Sequence, residues 1–235
     1  MNKSRHLFNV NSLHTKYIFA FVIGCMVGMK AIPIPVVGVA YIGLAAVCIF
    51  QCIRGNVEGF FSIVPYIIYS EVFVRAFARW VPYLGIAYVL IICFSILFFK
   101  VRRLPKPHTH AFVFLLIYTF LEVANNIYPD KPTITRPIIT QSFGLLIPAV
   151  WASYNVLKPV TINKLLDNVK IASIYLAGIV VIAHMTGKIN YGLYSNSDSS
   201  NGLAPVQLSG YLGFGCVLFF LSIMNPEEAK KKMLN

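Results

Sequence analysis

Apolar runs of about twenty residues recur along almost the whole chain, parted by short connections that hold most of its lysines and arginines. Coiled as a helix, a run of that length matches the roughly 30 Å hydrocarbon thickness of a bilayer. Of the 235 residues, 57% are hydrophobic and 12% charged, whereas an ordinary globular domain carries about 25% charged residues. The pattern predicts an all-α fold: a polytopic membrane bundle forming a single domain over residues 1–235.

Eight spans are expected, at residues 17–29, 36–53, 57–77, 81–99, 110–128, 137–157, 170–187 and 203–224. The first is short, and Pro33 and Pro35 follow it, so spans one and two are expected to form a tight hairpin. The connections 101–109 and 158–169 read as basic loops at the headgroup level. No repeat and no separate soluble domain is apparent, and the first apolar run leads into further spans instead of a cleavage site.

Counting Lys and Arg on alternate sides gives fourteen on one side against six on the other, the six being Lys30, Arg75, Arg79, Lys131, Arg136 and Lys188. The richer side faces the cytoplasm. Both termini are therefore expected there, and the loop 189–202 outside. The formal charge of +12 would suggest nucleic acid in a soluble chain, but with the cations in short membrane connections the partners expected are lipid headgroups. Cys25, Cys48, Cys52, Cys93 and Cys216 all lie in apolar runs and read as small buried hydrophobes. His108 and His110 lack a third ligand, so no metal and no other cofactor is expected.

Polarity inside the spans is where function is expected, because lipid makes it expensive. Glu71, Arg75 and Arg79 recur every four residues and share one helical face; Glu71 is expected to neutralise Arg75. Glu122 lies near the outer end of span five. Arg136 precedes Pro137, and Gln141 stands one turn further on. Gln207 and Ser209 follow Pro205 at the head of span eight. All four groups are expected in the outer half of the membrane, around a cavity open to the outside. Guanidinium groups suit a phosphate or pyrophosphate there, since each can donate two hydrogen bonds and keeps its charge in a partly dry site. Internal ion pairs that fix helix packing are the alternative reading of the same residues. His184 is a lone histidine near an interface, and no set of groups for covalent or general-base catalysis is recognisable.

The succession of an opening hairpin, "GFFSIVPYIIYSEVFVRA", "TRPIITQSFGLLIPAVW" and "SNGLAPVQLSGYLGFG" resembles the amino-terminal half of the O-antigen ligase and polymerase family, bacterial glycosyltransferases that use undecaprenyl-pyrophosphate-linked glycans. The turn Ala204–Gln207 is similar to a Gly-Pro-Asn-Gln-like turn of that family, with Val206 in place of its asparagine. The resemblance implies an inner-membrane protein whose Arg75, Arg136 and Gln207 face the lipid pyrophosphate from the periplasmic side. It also implies displacement of the pyrophosphate by an acceptor sugar without a nucleotide. The family's catalytic loop has no counterpart here, so the chain is expected to be one half of such an enzyme or to need a protein partner. A transporter or lipid-carrier flippase and a non-catalytic membrane subunit are the alternatives.

Overall fold

The computed structural model describes residues 13–77, 85–101, 144–187 and 205–224, and four isolated positions between 109 and 117. Among the described residues there are seven α-helices and no strand: α1 (Leu13–Gly28), α2 (Ile34–Ile53), α3 (Val57–Phe77), α4 (Gly85–Lys100), α5 (Gly144–Tyr154), α6 (Pro159–Met185) and α7 (Pro205–Met224). Two of them, α2 and α6, are long and apolar enough by length and composition to cross a membrane.

Local chemistry sets the ends of the helices. At the α1–α2 turn Lys30 takes a positive φ of 62°, and Pro33 then fixes the extended backbone from which α2 starts. Between α2 and α3, Gly55 takes a φ of 69°, the left-handed conformation that ends a helix at least cost to glycine. The Asn56 side chain then accepts a hydrogen bond from the Gly59 amide at 3.0 Å, capping α3.

Two packed groups make up the interior. In the first, Phe60 and Phe61 of α3, Phe94 of α4 and Trp151 of α5 meet mostly edge to face, with ring centres 4.9–6.2 Å apart, the arrangement that aromatic quadrupoles favour. Cys48, Cys52 and Cys93 are fully buried beside them. In the second, Val72 of α3 and Leu176 and Ile179 of α6 pack together with Leu208 and Leu218 of α7. Three helices surround α6: α1, α3 and α7 all lie against it.

Two expectations about the connections are corrected. The stretch 158–169 is helix, not loop: α6 starts at Pro159, with Lys158 as its cap residue. Its charged residues misled because they sit on successive turns, and Pro159 suits a first helical position, where no amide hydrogen is needed. The hairpin of α1 and α2 is tight only at its turn. From there α1 follows α6, while α2 leaves it to pack on α3 and α4.

Candidate functional site

Helices α3 and α7 run antiparallel, and one polar contact sets their register. Glu71 of α3 receives a hydrogen bond from the Tyr211 hydroxyl of α7. Beside it the rings of Tyr69 and Tyr211 stack with centres 4.6 Å apart and planes inclined by 22°, and the Tyr69 hydroxyl donates to the Tyr211 carbonyl at 3.3 Å. Four residues make one helical turn, so residue 75 on α3 and residue 207 on α7 both lie one turn beyond this contact, toward the same end of the bundle. The expectation that Arg75 and Gln207 belong to one region thus acquires a backbone frame. Glu71 reaches across to α7, a partner that spacing along α3 could not reveal. Arg79, Glu122, Arg136 and Gln141 lie outside the described residues, as do the side chains of Arg75 and Gln207.

At the opposite end a second polar group comes together that sequence reading missed. Lys170, only 4% exposed, pairs with Asp167 at 2.7 Å one turn earlier on α6 and donates to the Ser222 hydroxyl of α7 at 3.2 Å. Asn168 donates to the Ser62 carbonyl at 3.0 Å and accepts from the Tyr66 hydroxyl at 3.1 Å, tying α6 to α3. Placing Asp167 and Asn168 in a loop hid this group. The pairing of Asp167 with Lys170 at a spacing of three residues was its available signal. Near it, Lys164 and Glu58 approach to 3.6 Å as an exposed pair, of the kind that contributes little to stability.

A cavity of about 620 Å³ fills the angle between α1 and α2. Phe19, Ile23 and Val27 of α1 line one wall, Val37, Tyr41 and Leu44 of α2 the other, and Tyr66, Tyr69, Ile171 and Tyr175 of α3 and α6 the floor. The lining extends from Ile32 and Val36, near the turn, to Lys16 of α1. Tyr41 is 4% exposed, and its hydroxyl has no hydrogen-bond partner.

Among the described residues, no group of three or more His, Cys, Asp or Glu side chains could hold a metal ion. No family model matches the chain, nor does any curated protein or solved structure.

Proposed function

We propose that the chain is a polytopic bundle of the bacterial inner membrane that handles a polyprenyl-pyrophosphate-linked glycan at its periplasmic face, in the manner of O-antigen ligases and polymerases. The contact between Glu71 and Tyr211 carries this reading. It joins the two stretches, around residues 75 and 207, whose residue types suit a pyrophosphate. Arginine stays charged even in a partly dry site, which suits it to an anionic ligand. The arginines then offset the charge that develops on the departing pyrophosphate, an electrostatic contribution that needs no covalent intermediate.

Membrane placement is supported by what the helices leave uncovered. Val39, Ile42 and Phe50 of α2 and Phe214, Phe220 and Leu221 of α7 are roughly half exposed. Contiguous apolar faces of this kind suit lipid and not water. The eight-span arrangement with both termini in the cytoplasm is part of this reading, and the lysine and arginine bias supports it.

The test is complementation of a glycan-deficient strain. Arg75→Ala or Arg136→Ala is expected to abolish the polymer or the ligated glycan while the protein stays in the membrane fraction. Unchanged glycan with both arginines removed overturns the reading.

A further inference from the structure

We propose that Asn168 of α6 is a positioning residue: it sets the bend of α3 at Pro65 and, through that bend, where the half of α3 beyond it carries Glu71 and residue 75. The consequence for glycan transfer rests on the reading above, whereas the bend itself does not.

Pro65 lies within α3 and is fully buried. It has no amide hydrogen for the Phe61 carbonyl four residues back, and its ring crowds that turn, so a helix loosens and bends at such a point. A serine hydroxyl that bonds the carbonyl four residues back adds to a bend. Two such serines flank the proline: Ser62 donates to the Glu58 carbonyl at 2.8 Å, and Ser70 donates to the Tyr66 carbonyl. These local contacts permit a range of bends.

Asn168 selects one of them. Its amide spans the loosened turn: Nδ2 donates to the Ser62 carbonyl at 3.0 Å, before the proline, and Oδ1 accepts from the Tyr66 hydroxyl at 3.1 Å, after it. A carbonyl can only accept, so the amide nitrogen belongs on the Ser62 side and the oxygen is left for the tyrosine. One planar group thus holds both sides of Pro65. Within lipid, an interior proline is tolerated where a neighbouring helix engages the loosened turn in this way. Helix α6 is a firm anchor, since Lys170, two residues further on, holds α7 through Ser222, and Leu176 and Ile179 are fully buried.

Leverage gives the bend its consequence. From Pro65 to residue 75 the helix rises about 15 Å, so a change of about 10° in the bend moves residue 75 by about 2.6 Å. A misplacement of about 1 Å can cost a positioned reaction about a hundredfold in rate.

The experiment measures distances by electron paramagnetic resonance on the whole chain in nanodiscs, with Cys25 and Cys216 replaced by serine. Spin labels at Phe77 and Met185, the last residues of α3 and α6, are expected to give one narrow distance, which Asn168→Leu shifts or broadens by about 2–3 Å, the displacement that the lever implies. Tyr66→Phe, which removes one of the two bonds and keeps the ring, gives a smaller shift in the same direction. Labels at Arg54 and Asn163, exposed at the other end of the bundle, keep their distance in every variant. Pro65→Ala restores the amide hydrogen, and with it in place Asn168→Leu adds no further shift. In the complementation assay Asn168→Leu lowers glycan at least about tenfold at unchanged protein level. Unchanged distances between Phe77 and Met185 in both Asn168→Leu and Tyr66→Phe, or an Asn168→Leu shift of the same size when residue 65 is alanine, overturn the proposal. Glycan unaffected by Arg75→Ala and Arg136→Ala overturns the glycan reading and not the bend, which the distances support or overturn on their own.

Discussion

Gly24 of α1 and Gly178 of α6 pack backbone against backbone: a methyl group added at Gly178 would stand 3.2 Å from the Gly24 Cα and 2.5 Å from the Phe21 carbonyl oxygen. Gly28, one turn on, faces Ile179 and Ile182 in the same way. Within lipid, where apolar burial gives helices no net attraction, close approach of this kind is a main source of adhesion. The short α1 is held to the bundle by this seam.

Gly178→Val is therefore expected to detach α1. Overpacking costs about 1–3 kcal/mol even where side chains can yield, and here the obstacles are backbone atoms. Loss of the sharp elution peak in mild detergent checks it. Gly43→Ala is the control, since nothing lies within 4 Å of an added methyl there, and no loss is expected.

Lys170→Met removes the cation facing Asp167, whose side chain keeps 30% exposure, so the loss is expected nearer the about 1–3 kcal/mol of an unmade polar contact than the about 3–5 kcal/mol of a fully buried pair. The thermal midpoint in detergent should fall by several degrees. Adding Asp167→Asn to it should recover most of the loss, because the cost lies in the orphaned charge. A double variant no more stable than the single one would show that the pair acts through shape alone.

Tyr211→Phe removes the hydrogen bond to Glu71 and keeps the ring stacked on Tyr69. The expected loss is about 1 kcal/mol, the usual net worth of such a bond, and Tyr211→Ala should cost clearly more. The difference between the two midpoints measures the stacking contribution.

Cysteine accessibility gives a direct check on packing. Cys48 and Cys93 lie 4.0 Å apart between sulfurs, and with Cys52 they are fully buried, whereas Cys216 is exposed. In mild detergent N-ethylmaleimide is expected to spare those three until the protein is unfolded, and to modify Cys216, near the middle of α7, only slowly because the micelle covers it. Intact-mass measurement before and after unfolding counts the adducts.

Helix positions were largely legible in the sequence, because unbroken apolar runs with glycine or proline at their ends leave the backbone few alternatives to satisfying its own hydrogen bonds. The third expected span, 57–77, coincides with α3, and the second and eighth begin within two residues of α2 and α7. The start of α6 was not legible, since charge was read as loop where it marks one face of a helix. The cleft could not be anticipated either. It exists because α1 and α2 choose different neighbours, and that choice rests on Gly24, Gly28 and Gly178, whose contribution is the absence of a side chain. For the candidate site, residues 75 and 207 were singled out by residue type, while the contact of Glu71 with Tyr211 was not legible, because a tyrosine among apolar neighbours gives no sign of its partner.

The seam between α1 and α6 also constrains how the molecule is made. The Cys25 thiol and the Gly178 carbonyl that it approaches are 153 residues apart in the chain, so α1 leaves the ribosome well before the helix that seats it. Contacts so distant in sequence form late and slowly. Until α6 arrives, the glycine groove of α1 stands open to any other helix with a flat face, its own nascent neighbours included. Assembly errors should therefore begin at α1, and a chain halted before Gly178 would leave it without its seat.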